Sequence, residues 1–184
     1  MSGTATVHPQ ATLRPTKEEL LAKWLPGQPW FDGNPAELEV VGKFRFQDPQ
    51  GEVGLDNMLV RAGEHVYYVP VTWRSAPLSA RSRLIGELHH SVLGHRFCYD
   101  AATDPVFLAE IRRVIVEGDR EADVVTSTGE PRPLGVSVRG NGVDSDGTLR
   151  LVRRLHTYYP GAAKLTATWT LDGVAREDVV AVIG

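Results

Sequence analysis

Apolar and polar residues change period three times along this chain, and each change marks a new kind of element. In "PTKEELLAKWL" the spacing is helical: Leu20, Leu21 and Trp24 share one face, with Thr16 as N-cap and Glu19 three residues later completing a capping box. "LPGQPWFDGNP" (25–35) ends that helix with three prolines and two glycines, and holds Trp30 and Phe31 in a turn-rich segment. From Ala36 the period drops to two. "ELEVVGKFRFQD" runs to the turn "DPQGE", and "GLDNMLVRAGEHVYYVPVTWR" predicts two strands joined at "AGEH". Alternation in "KFRF" and "VYYVPV" predicts a sheet with one face covered, by the first helix, and Pro70 predicts an edge position for its strand.

"LIGELHHSVLGHRFCYDAATDP" (84–105) predicts a strand, a "VLG" turn, and a strand ending at Tyr99–Asp100. Asp104 and Pro105 then cap a second helix, "VFLAEIRRVIVEG" (106–118), with Gly118 as its C-cap. Residues 119–133 are charged and then rich in Ser, Thr and Pro, which predicts a linker. "GVSVRG", "GTLRLVRRLHTYY", "KLTATWTL" and "EDVVAVI" return to strand composition, with "DSDG" and "LDG" as turns. The expected class is α+β: an antiparallel sheet with two packed helices over residues 1–118, the linker at 119–133, and a small antiparallel β subdomain at 134–184. The polar, proline-punctuated residues 1–15 are a flexible lead-in or an edge strand.

Composition narrows the function. With 42% hydrophobic and 23% charged residues the chain has ordinary soluble globular composition. A net charge of −3, with arginines interleaved among acids, leaves no general footprint for nucleic acid or an anionic membrane. The single cysteine, Cys98, cannot form an internal disulfide and suits a reducing cytoplasm. No basic-then-apolar leader opens the chain, and no apolar run reaches the ~20 residues that span a bilayer.

"TKEELLAKWLPGQPWF" and "VPVTWRSAPLSARSRLIGELHHSVLGHRFCYDAATDPVFLAEI", in this order, resemble the N-terminal cap domain of actinobacterial maltokinases over roughly residues 13–117. More closely, they are similar to short proteins that carry such a cap-like domain without the kinase. The resemblance implies a cystatin-like cap, a sheet wrapped on a helix that supplies no phosphoryl-transfer residues. It also implies a place near α-glucan and glycogen metabolism, where the full-length relatives phosphorylate maltose with ATP and feed glucan synthesis through maltose 1-phosphate. In "LRLVRRLHTYYPG" Arg150 stands where the kinase's phosphate-binding lysine would be, and a guanidinium fork does not replace an ammonium there without rearrangement. The approximately 30 residues after Leu155 are too few for the catalytic and Mg²⁺-binding aspartates of a second lobe. They also leave no room for the ~250-residue barrel of a branching enzyme.

The residues that suggest chemistry each have a plainer reading. His89, His90 and His95 with Cys98 and Asp100 suggest a zinc site, but His89 and His90 are adjacent on a strand and point to opposite faces, so at most one could join His95. Cys98 lies in the apolar pattern of "RFCYD", where thiols are mostly buried and inert. Asp100 and Asp104 are close in sequence, but the paired carboxylates of glycoside chemistry must face each other across a cleft, and Asp104 is better explained as a helix cap. "RGNGVDSDG" lacks calcium-loop spacing and reads as a hairpin turn. Trp30, Phe31, Tyr67, Trp73 and Tyr99 are core residues or a sugar-stacking platform, and the basic "RLVRRLH" is a solvated strand or an anion or partner contact.

The expectation is therefore a non-catalytic binding or regulatory protein of α-glucan metabolism with no catalytic residue, cofactor or metal. Its partner is a glucan-pathway enzyme or a second copy of the chain. An α-glucan-binding module is the alternative, and a small hydrolase on the His/Cys/Asp segment a third reading. Candidate ligand or partner contacts are Trp30, Trp73, His95, Tyr99, Asp100 and Arg150.

Overall fold

A computed structural model describes residues 2–184. The strands are β1 (Thr4–Val7), β2 (Leu13–Arg14), β3 (Leu38–Gln47), β4 (Gly54–Ala62), β5 (His65–Arg74), β6 (Leu84–His90), β7 (Gly94–Asp100), β8 (Asp123–Thr126), β9 (Ser137–Gly140), β10 (Leu149–Leu151), β11 (Ala163–Leu171) and β12 (Val174–Ile183). The helices are α1 (Lys17–Trp24) and α2 (Pro105–Glu117). The class is α+β. A six-stranded antiparallel sheet has the order β2-β6-β7-β5-β4-β3, a four-stranded one β10-β12-β11-β9, and β1 and β8 form a parallel pair.

Local chemistry sets the element ends where the sequence predicts them. Thr16 and Glu19 form the reciprocal capping box of α1. The Asp104 carboxylate accepts from the Val106 N–H at 3.0 Å, Pro105 follows, and Gly118 closes α2 in the left-handed conformation. The "DPQGE" turn is held by Asp48, whose buried carboxylate accepts backbone N–H bonds from Gln50, Glu52 and Val53. At "LDG", Asp172 and Gly173 both have positive φ, as a tight hairpin between β11 and β12 requires.

The large sheet is covered on both faces. On one lies α1, whose Leu20 and Leu21 pack with Leu25, Met58, Val60, Tyr67, Val69, Val71, Leu88 and Cys98. On the other, α2 and the four-stranded sheet form a common core with Phe44, Phe46, Leu55, Leu59 and Tyr68; α2 contributes Phe107, Ile111, Val114 and Ile115, and the small sheet Leu165, Trp169, Val180 and Ile183. This corrects the expectation of a single covered face. Alternation in "KFRF" identifies which residues share a face, but the element that covers the Phe44–Phe46 face lies more than 50 residues further along the chain.

Pro70 is corrected as well: β5 lies between β4 and β7 rather than at the sheet edge. β7 pairs with β5 from Val71 onward. Before that point the outer edge of β5 is taken by the segment after β10, with Tyr68 N–H donating to Arg153 O at 2.8 Å and Leu155 N–H to Val66 O at 2.9 Å. Pro70, which has no N–H to offer, sits where the partner changes. The segment 119–133 is also more than a linker, because β8 lies within it and pairs with β1.

Candidate functional site

The side of the large sheet that carries α1 also carries a cleft of about 510 Å³. Strand alternation builds its floor. With Phe44 and Phe46 turned toward α2, Lys43 and Arg45 take the opposite face, and Arg45 stands across from Asp56 of β4. Lys17 in the first turn of α1, Trp73 at the end of β5 and Arg96 of β7 border it, and the N-terminal segment around β1 closes one wall, with Arg132 beyond.

Asp56 is the buried anion of this floor. Its carboxylate is bonded to the Lys17 ammonium and accepts from Trp73 Nε1 at 3.3 Å. Burial alone would raise its pKa, but the charges of Lys17 and Arg45, the Lys17 hydrogen bond and the charge of Lys43 outweigh it. The carboxyl is held well below the ordinary range and stays ionised. Lys17 also lies 5.2 Å from the centre of the Trp73 ring. His90, on the cleft wall, has its pKa lowered by burial and then by the neighbouring charges of His8, Arg96 and Lys17.

A second cluster gathers beside it. Arg153 donates to Asp100 Oδ1 at 2.6 Å, and its guanidinium lies 4.8 Å from the centre of the Trp30 ring. Asp100 is fully buried, and its Oδ2 and Arg153 Nη1 are both shielded without a hydrogen-bond partner. Next to it, Tyr67 donates to Asp32, which also accepts from Arg154 Nη1 at 2.8 Å, while Arg154 Nη2 lies 3.0 Å from His65 Nε2. Burial, then the Asp32 bond, pushes the Tyr67 hydroxyl up to about 12.

The sequence-singled residues thus fall in different places. Trp73 lines the cleft, and Trp30 and Asp100 meet at Arg153. Tyr99 is buried on the α2 face, its hydroxyl accepting from the Leu78 N–H at 2.8 Å. His95 is exposed and pairs with Glu87 at 2.8 Å. Arg150 is exposed on β10, across from Val182. A hydrolase on the His/Cys/Asp segment needs His95 and Cys98, or His89 or His90 with Asp100, to converge in one open pocket. Cys98 and Asp100 are buried, whereas His89 and His95 are exposed. Burial pushes the Cys98 thiol far up, away from the thiolate a nucleophile needs. Among the described residues no group of three or more His, Cys, Asp and Glu is placed to hold a metal ion, and no helix is long and apolar enough to cross a membrane.

Sequence reasoning missed Lys43, Arg45, Asp56, Arg96 and Arg153. The alternation of "KFRF" carries a signal for the first two, because two cations flank a buried phenylalanine at a spacing of two. Arg153 lies within the basic stretch "RLVRRLH", three residues from Arg150.

Fold and cleft together define an α+β protein whose antiparallel sheet presents a basic, partly aromatic cavity on the side of its first helix. Residues 24–104 match the family model of the maltokinase N-terminal cap domain, somewhat under half of the 184-residue chain. The family resemblance read from the sequence is shown for this segment. No curated protein and no solved structure matches the chain significantly.

Proposed function

We propose that the protein is a non-catalytic binding or regulatory module of α-glucan and maltose 1-phosphate metabolism, with the α1-side cleft as its ligand seat. The match of residues 24–104 to the maltokinase cap supports the metabolic setting; a cystatin-like form for this part is carried over from the family resemblance. The cleft is the observation that supports binding: it has a disaccharide-scale volume, an indole on its wall and a buried ionised carboxylate on its floor. A structural or packing role for the chemical-looking residues supports the non-catalytic part, since Cys98 is buried and Asp104 is committed to capping and to Arg74. The partner in this reading is a glucan-forming enzyme or a second copy of the chain, in the cytoplasm.

The test is glucan formation reconstituted from maltose, ATP and the enzymes of that route, with and without the full chain. Addition of the chain is expected to change the rate or the KM, while the chain alone neither phosphorylates maltose nor cleaves amylose. Turnover by the chain alone, or no effect at saturating amounts, overturns the proposal.

A second reading, binding of neutral α-glucan, is favoured by one observation, the half-buried Trp73 ring in the cleft wall. Affinity electrophoresis in glycogen or amylose gels separates the two. Retardation that disappears in Trp73→Ala establishes glucan binding, and unretarded migration removes it.

A further inference from the structure

The cleft has a charge of its own, opposite to that of the chain. Five cations, Lys17, Lys43, Arg45, Arg96 and Arg132, line it against two carboxylates, Asp56 and Glu52, in a protein of net charge −3. Lys17 is committed to Asp56. Among the described residues the other four cations have no ion-pair partner within 4 Å, although Arg45 and Lys43 both feel the Asp56 charge. Arg96 spends one N–H on the His95 carbonyl at 2.9 Å. Arg45 Nε is shielded from solvent and has no acceptor. Like charges in excess of their counter-charges raise the local potential, most of all between low-dielectric walls.

The cations also come from separate elements. Lys17 comes from the start of α1, Lys43 and Arg45 from β3, Arg96 from β7, and Arg132 from the segment after β8. A carboxylate presents two oxygens in one plane. A phosphoryl group carries close to two negative charges at neutral pH and spreads three acceptor oxygens over a tetrahedral surface, which suits donors supplied by separate elements. Arginine forks add geometric selectivity for such oxygens. The cleft volume of about 510 Å³ leaves room beside a phosphoryl group for a body of sugar or nucleoside size, and Leu13, Val53, Leu88 and Leu93 supply apolar wall.

We infer that this cleft binds a small phosphorylated metabolite, its phosphoryl group held on the β3 side by Lys43, Arg45 and Arg132. The inference rests on the reading of the cleft as the ligand seat and adds the chemical class of the ligand.

Calorimetric titration of the full chain at low salt tests it, with inorganic phosphate, pyrophosphate, citrate and maltose as probes. Phosphate and pyrophosphate are expected to bind, pyrophosphate more tightly, and to weaken about tenfold or more when salt rises from about 50 to about 300 mM. Lys43→Gln and Arg45→Gln should each weaken pyrophosphate about tenfold. The double variant Lys43→Gln/Arg132→Gln, which changes one half-buried and one exposed side chain, keeps the test open if Arg45→Gln fails to fold. Absence of phosphate and pyrophosphate binding, citrate binding more tightly than pyrophosphate, or affinities that ignore the charge-removing variants would each overturn the assignment. Maltose binding without phosphate binding also overturns it, yet leaves the binding-module reading intact. Phosphate binding without any effect on reconstituted glucan formation does the reverse.

Discussion

Arg74 grips Asp104 through two parallel hydrogen bonds, Nε to Oδ2 and Nη2 to Oδ1, both 2.8 Å. The pair ties the end of β5 to the N-cap of α2. Thr72 Oγ1 also donates to Oδ2 at 2.7 Å, and the carboxylate is fully buried. One side chain therefore caps a helix and joins that helix to the central sheet. Asp104→Ala leaves Arg74 facing a cavity and the first turn of α2 uncapped, at an expected cost of about 3–5 kcal/mol. Arg74→Lys keeps the charge but loses the fork, at about 1.5–3 kcal/mol. Denaturant unfolding of both variants checks the order.

Acid should weaken the fold from a definite starting point. Asp104 and Asp56 both have their pKa lowered in the folded protein; burial opposes this, but Arg74 and Thr72 at the first and Lys17, Arg45 and Lys43 at the second prevail. The unfolded chain, with ordinary values near 3.8, takes up these protons first as pH falls. Their contribution is fully present above the unfolded value and is lost as pH falls through 3.8 toward the folded values. Thermal melts are expected to show a steepening loss below about pH 4. Asp56→Asn should be less stable near neutrality and show a shallower acid limb.

Cys98 is 1% exposed and faces the α1 core. Burial raises its thiol pKa, so both access and thiolate fraction are low. An aromatic disulfide reagent should leave the native protein unmodified over hours and react with one thiol per chain in denaturant. Rapid reaction of the native protein contradicts this burial.

Gly140 lets α2 pack directly against the backbone of the small sheet. A Cβ placed there would stand 2.0 Å from the Val114 carbonyl oxygen and 2.6 Å from Ile115 Cα. Backbone cannot yield as a flexible side chain does, so Gly140→Ala is expected to lower stability by about 1–3 kcal/mol or more. Gly51→Ala is a poor control because of its positive φ, whereas Gly27 has open space and an ordinary φ. The melting temperature of Gly27→Ala should remain within a degree or two of the parent's.

Elements whose ends are written in local chemistry were legible in the sequence. Thr16–Glu19, Asp104–Pro105–Gly118, "DPQGE" and "LDG" each carry their own stop or turn, and the structure keeps them. What covers a face was not legible. "KFRF" announces two faces but not that residues from α2 and the last four strands fill one of them. The pairing of β1 with β8 joins segments more than 100 residues apart, and nothing local in "TATV" or "DVVT" specifies it. The site shows the same divide. Trp73 could be singled out as an aromatic, but Asp56 and Arg45 become a site only by standing opposite one another across two strands. Asp100 could be singled out as an acid; its partner Arg153 arrives from 53 residues away.

Pro70, where β5 exchanges one neighbour for another, has a consequence for what counts as a unit here. The segment matching the cap ends at Asp104, but the strand at the heart of that segment is completed by Arg153 and Leu155, and its Tyr68 face is roofed by residues beyond 105. What matches as a module and what melts as a module are then different stretches of chain. A fragment cut at the limits of the match would present Phe44, Phe46 and Tyr68 to water, whereas the whole chain should unfold in a single cooperative step.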